Sequence, residues 1–224
     1  RIVGKSFLAL LGFPVNKSPS YYTHNKVLKG LNFPACYVKI DITPEEFSKS
    51  IALLRKLPCL GFSVTMPFKE SILKYLDEVS PGALACQAVN TVVIEDQKWK
   101  GFNTDGLGAM QALGCPENKT IMVLGVGGTA KSIAWEAIQK KNNVILVGRN
   151  LQKTKSVAKL LGCEYLDFNK RRIWSEAPYD ILVHTTPTGM QDDECLLLDS
   201  EIPENKIVFD VVNKKTKTAL IRKS

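Results

Sequence analysis

The chain has 224 residues, 45% hydrophobic and 23% charged, an ordinary balance for a globular protein of one or two domains. It contains no apolar run of about 18 residues, which excludes a helical membrane span. The formal charge of +8 is spread along it, 13 basic against 8 acidic residues up to Thr104 and 17 against 14 beyond, so no basic arm for nucleic acid stands out, while a diffuse positive field suits small anionic ligands.

Apolar residues 7–11 follow Arg1 and Lys5, as in a secretion leader, but Gly12-Phe13-Pro14 comes next with no small-residue cleavage site. Residues 6–11 are therefore expected to form a buried first strand. A helix is expected over 20–29 and a strand over 35–41. Thr43 fits an N-cap and Pro44 a first helical position, with an amphipathic helix running to Lys56. A third strand covers 60–64. Pro67 is expected to open a helix reaching about Asp77, and residues 89–95 and 98–102 read as a hairpin.

Residues 105–113 predict a helix, after which the strand–helix alternation starts again. Strands are expected at 120–124, 144–147, 181–184 and 207–211, with helices over 129–141 and 151–161. The pattern is that of an α/β protein in two domains, residues 1–104 and 105–224.

The apolar strand Ile121-Met122-Val123-Leu124 ends in Gly125-Val126-Gly127-Gly128-Thr129-Ala130, and a helix follows at once. Glycines there permit a tight turn and close backbone approach to a pyrophosphate, and the helix start offers unpaired N–H groups and a favourable dipole. The next strand ends in Gly148-Arg149-Asn150, with Lys153 beyond. An acid at that place holds the ribose hydroxyls of NAD; a guanidinium instead grips a 2′-phosphate, which favours NADP.

Three clusters in the first half carry chemistry. The loop Gly12-Phe13-Pro14-Val15-Asn16-Lys17-Ser18-Pro19-Ser20 can present Ser18 and Ser20 to a carboxylate, although Ser20 also suits a helix cap. In Val64-Thr65-Met66-Pro67-Phe68-Lys69 a lysine stands early in the expected helix, where the dipole disfavours a cation. Ala88-Val89-Asn90-Thr91 and Gly101-Phe102-Asn103-Thr104-Asp105-Gly106 supply amides and a carboxylate at element ends, suited to a polyhydroxylated ligand.

In these motifs and their order, over residues 12–220, the sequence resembles the shikimate dehydrogenase family. The resemblance implies an N-terminal open α/β substrate domain followed by a doubly wound Rossmann-type NADP-binding domain. It implies NADP-dependent interconversion of 3-dehydroshikimate and shikimate, a step in chorismate and aromatic amino-acid biosynthesis. Ser18 and Ser20 would bind the substrate carboxylate, and Thr65, Asn90 and Asp105 the rest of the substrate. Lys69 would be the catalytic acid/base with Asp105 as its partner. Gly125, Val126, Gly127, Gly128 and Thr129 would hold the cofactor turn, Arg149, Asn150 and Lys153 its 2′-phosphate, and Thr186, within Thr185-Thr186-Pro187-Thr188-Gly189-Met190, the nicotinamide side. No metal is implied. A quinate/shikimate dehydrogenase of broader specificity and a catalytically silent NADP-binding module remain the alternatives.

Two features depart from the family. Asp210-Val211-Val212-Asn213 matches a motif that usually ends in a substrate-contacting tyrosine, replaced here by Asn213. The family also continues with a segment that returns to the first domain and supplies a glutamine, whereas this sequence stops at Ser224 and starts at Arg1 rather than methionine. A fragment of a longer protein is expected. Ser63 in place of asparagine is similar to members fused behind a 3-dehydroquinate dehydratase domain, which leaves such a partner open upstream. Six cysteines without a C-x-x-C pair imply reduced thiols and a cytoplasmic location, or a plastid one for a plant-type fusion.

Overall fold

The computed structural model describes residues 6–224, in two units that meet in sequence between Thr104 and Asp105. Arg1 and Lys5, weighed above as flanks of a leader, lie outside the described residues.

The first unit runs β1 (Phe7–Gly12), α1 (Ser20–Gly30), β2 (Cys36–Asp41), α2 (Phe47–Leu54), β3 (Cys59–Val64), β4 (Glu78–Val79), α3 (Pro81–Cys86), β5 (Thr91–Glu95) and β6 (Lys98–Phe102). Its sheet has the order β2-β1-β3-β5-β6-β4. β1 lies parallel to both β2 and β3, while β5 runs antiparallel to β3 and β6. The β5–β6 turn is Asp96-Gln97 with φ of 50° and 63°, both left-handed, the twist that a two-residue hairpin loop requires. Leu11, Ile51, Phe62, Ile72 and Trp99 are buried in the core of this unit. Trp99 meets Phe62 edge to face at 4.9 Å and carries the Arg55 guanidinium 4.3 Å from its ring.

Two expected helices of this half come out shorter. α2 begins at Phe47, not Pro44. Glu46 and Phe47 N–H bond to Thr43 and Pro44 C=O, three residues back, and the Thr43 hydroxyl donates to Glu46 rather than capping a helix. The run after Pro67 is only a 3₁₀ turn over Ser71–Tyr75. The carbonyl of Lys69 is taken by Val89 N–H at 2.7 Å, so it is engaged outside any local helical ladder. Lys69 therefore precedes the helical turn, and the argument from an unfavourable helix dipole falls. The short elements β4 and α3 were not foreseen, although Ser80 and Pro81 are a fitting N-cap and first position.

The second unit runs α4 (Asp105–Ala112), β7 (Thr120–Leu124), α5 (Gly128–Gln139), β8 (Asn143–Gly148), α6 (Leu151–Leu161), β9 (Glu164–Asp167), α7 (Arg171–Ser175), β10 (Ile181–His184), β11 (Ile207–Asp210) and α8 (Ala219–Lys223). All strands are parallel, in the order β11-β10-β7-β8-β9. This is the doubly wound order, with its reversal between β7 and β10. Ile121 and Val123 pack on one face of the sheet, Met122 and Leu124 on the other, so β7 is apolar throughout. The edge strand β9 and the short helices α7 and α8 were not expected.

Candidate active site

In the first unit the singled-out residues gather where β1 and β3 end. Thr65 N–H bonds to Leu11 C=O at 2.9 Å, and Phe13 N–H to Met66 C=O at 2.9 Å. The two strand exits are so close that a Cβ on Gly12 would stand 2.3 Å from the Thr65 methyl, which requires glycine there. β2 pins the serine loop: Asp41 accepts Val15 N–H at 2.9 Å, and Lys39 Nζ donates to Asn16 C=O at 2.7 Å. Asp41 and Lys39 escaped the sequence reading, because nothing local marks a strand-end residue as the anchor of a loop more than twenty positions away.

Ser18 and Ser20 face each other, Oγ to Oγ, at 3.0 Å. Ser18 Oγ also accepts Ser20 N–H at 3.3 Å, and the N-cap position of α1 is Pro19, with no side-chain cap. Ser20 is thus not the cap. The two half-buried hydroxyls form one polar pair at the loop end. Lys69 is half-buried; its neighbour Phe68 is buried, stacked on Phe47 at 4.1 Å, and its own carbonyl is fixed by Val89. The base of the lysine is therefore held on both sides.

Asn90 closes the cluster. Its carbonyl oxygen accepts Thr104 N–H at 3.0 Å and the Thr91 hydroxyl at 2.8 Å, and its backbone C=O accepts Val64 N–H at 2.8 Å. The structure thus brings Ser18, Ser20, Thr65, Lys69 and Asn90 to one end of the first sheet, where β1 and β3 stop and β5 starts. Asp105, the remaining acid, belongs to the second unit, where it starts α4 and accepts the Thr129 hydroxyl at 3.3 Å.

The residues expected to hold a cofactor lie at the carboxyl ends of the second sheet's strands. Gly125 leaves β7 with φ of 121°, and a Cβ there would be 2.3 Å from Thr185 Oγ1 and 3.5 Å from the Thr186 methyl. Segment 185–186 therefore abuts the glycine turn at the topological reversal, where ligands bind in this fold. α5 starts at an N-cap Gly127 that makes no side-chain cap, and nothing lies within 4 Å of the Cβ that Gly127 lacks. The start of a 12-residue helix beside an open glycine fits a pyrophosphate.

Beyond β8, Arg149 and Lys153 are exposed, and Asn150 accepts Lys153 N–H at 3.0 Å, capping α6. Two cations beside the start of an 11-residue helix fit a phosphate, so the residues present match a phosphorylated dinucleotide. Asn213 is exposed. Among the described residues, no cluster of three or more His, Cys, Asp or Glu could hold a metal ion, and no helix is long and apolar enough to cross a membrane.

A buried polar chain behind segment 185–186 was not singled out from the sequence. His184 Nδ1 lies 3.0 Å from Asp210 Oδ1 and its Nε2 lies 2.6 Å from Thr186 Oγ1. Asp210 also accepts the Thr218 hydroxyl at 2.6 Å and Val212 N–H at 3.0 Å. Burial opposes ionisation of Asp210, but hydrogen bonds from His184, Thr218 and Val212 outweigh it and hold the carboxyl below its ordinary range. A polar residue at the end of each of two apolar strands was the available signal.

Comparison with known proteins bears on both units. Residues 10–92 match the family model described as the shikimate dehydrogenase substrate binding domain. The NADP(+) shikimate dehydrogenase of Methanocaldococcus jannaschii is 34% identical, the match covering 97% of this chain and 81% of the relative. The crystal structure of the Thermus thermophilus shikimate 5-dehydrogenase with NADP(H) and shikimate is 30% identical with a TM-score of 0.87, covering 97% of this chain and 82% of that one. The Aquifex aeolicus shikimate dehydrogenase structure is 29% identical with a TM-score of 0.89, covering 98% and 82%.

Proposed function

The chain belongs to the shikimate dehydrogenase family, and on that premise we propose that it interconverts 3-dehydroshikimate and shikimate with NADP(H). The unit ending at Thr104 binds the substrate, and the unit beginning at Asp105 binds the cofactor. The observation that carries the reading is the gathering of Ser18, Ser20, Thr65, Lys69 and Asn90 at one end of the sheet of a unit that matches a substrate-binding model.

Bound NADPH supplies hydride to the ketone carbon. Ser20 donates to the substrate carboxylate, and Ser18 exchanges its bond to Ser20 for one to the same carboxylate, the two oxygens being set 3.0 Å apart. Thr65 and Asn90 take substrate hydroxyls. As hydride arrives, charge grows on the carbonyl oxygen; the Lys69 ammonium stabilises that charge and delivers the proton. In the reverse direction neutral Lys69 accepts the hydroxyl proton. Asp105 takes a further substrate hydroxyl, which limits the poses the substrate can adopt. Arg149 and Lys153 hold the 2′-phosphate, the basis for NADP over NAD. The six cysteines are free, which supports the reading of a reducing compartment such as the cytoplasm.

The test is reduced-nicotinamide absorbance after mixing the protein with shikimate and NADP⁺, with quinate run beside it. Lys69→Ala is expected to lower kcat by about 10²–10⁴, the usual contribution of a positioned acid/base, while shikimate still binds. Cofactor binding without turnover of shikimate in the parent protein, or parent-like kcat in the variant, contradicts the reading.

A further inference from the structure

His184 ends β10 and sits 2% exposed between two partners on opposite sides of its ring. Asp210, on the neighbouring strand β11, is ionised near neutral pH and can only accept hydrogen bonds, so the nitrogen facing it, Nδ1, must carry the proton. In the neutral imidazole the other nitrogen is then an acceptor. Nε2 lies 2.6 Å from Thr186 Oγ1, and with this tautomer the Thr186 hydroxyl gives its single proton to the ring. Thr188 N–H reaches the same oxygen at 3.4 Å. What Thr186 can still offer outward is a lone pair.

We infer that His184 is a positioning residue for the nicotinamide end of the cofactor: it fixes the Thr186 hydroxyl as an acceptor, matched to the N–H₂ of the carboxamide and mismatched to its C=O. The inference rests on the reading, made above, that the segment from Thr185 lines the nicotinamide. Its geometric support is the contact of that segment with the glycine turn, where Thr185 Oγ1 donates to Leu124 C=O at 2.7 Å and the Thr186 methyl lies 3.5 Å from where a Cβ on Gly125 would stand. The chain of bonds runs from Thr218 through Asp210 and His184 to Thr186, so the orientation of the terminal hydroxyl is set by buried groups that never touch the ligand.

Two measurements test it. The sequence holds only two histidines, His24 and His184, so long-range proton–nitrogen correlation at pH 8 resolves each ring, with loss of one set in His184→Asn giving the assignment. The expected ring carries a proton on Nδ1 and leaves Nε2 as the acceptor; a proton on Nε2 overturns the inference. The second is equilibrium binding of NADPH and of 2′,5′-ADP, which carries the phosphates but no nicotinamide. An asparagine at 184 keeps a donor near Asp210 and is too short to hold Thr186. His184→Asn is expected to weaken NADPH about fivefold, the loss of one hydrogen bond, and to leave 2′,5′-ADP unchanged. Thr186→Val should show the same selective loss. If Thr186→Val is selective and His184→Asn is not, the role of His184 falls and the nicotinamide-side reading stands. If neither variant separates the two ligands, that reading falls as well.

Discussion

Two glycines two residues apart are expected to fail for different reasons when each gains one methyl. At Gly125, φ of 121° is a conformation that an L-residue rarely adopts, and the new Cβ would stand 2.3 Å from Thr185 Oγ1. That oxygen is held by its bond to Leu124 C=O and cannot turn away without losing it. Backbone strain of about 1–2 kcal/mol and overpacking of about 1–3 kcal/mol combine to roughly 2–5 kcal/mol. At Gly127, φ is −81° and nothing lies within 4 Å of the added carbon. Replacing glycine by alanine at an N-cap costs up to about 1 kcal/mol, and the smaller entropy of the unfolded chain returns about 0.4–1 kcal/mol, so stability should barely move.

Thermal unfolding and NADPH titration of both variants separate the effects. Gly125→Ala is expected to lower Tm by about 10 °C, at a few degrees per kcal/mol. Gly127→Ala should keep Tm within a few degrees yet weaken NADPH about tenfold or more if, as proposed, the pyrophosphate occupies the open space beside Gly127. Equal losses of Tm in the two variants, or undiminished NADPH affinity in a folded Gly127→Ala, would refute the account of the turn.

Asp210 has a folded-state pKa below its unfolded value of about 3.9, so between the two the unfolded chain binds the extra proton. Its contribution is therefore complete above about pH 4 and is lost as pH falls through the folded value; the stability gap between parent and Asp210→Asn should be flat at neutral pH and shrink below pH of about 4. The Cys163 thiol is pushed up to about 11 by burial and the charge of Glu164, so it stays protonated at pH 8. Mass mapping after brief alkylation at that pH should find exposed Cys36 and Cys115 modified and Cys163 intact; early labelling of Cys163 would contradict its burial.

The sequence by itself determined the parts of this protein that depend on neighbours along the chain. Apolar runs such as Ile121 to Leu124, a glycine turn feeding a helix, Asn150 capping α6 and the Asp96-Gln97 turn are all local devices, and each forms where the residues indicate. The ordered motifs carried the family, and the NADP expectation was read from Arg149 standing where an acid would serve NAD. Only the tertiary structure decided what depends on partners far away in sequence. Val89 takes the Lys69 carbonyl and reduces an expected helix to a 3₁₀ turn; Asp41 and Lys39 anchor the serine loop; His184 meets Asp210 across two strands. These bonds join residues roughly twenty or more positions apart, and no local propensity encodes them. They exist because parallel sheets bring strand ends together, and because a polar group buried there must find a partner among whatever the assembled sheet supplies.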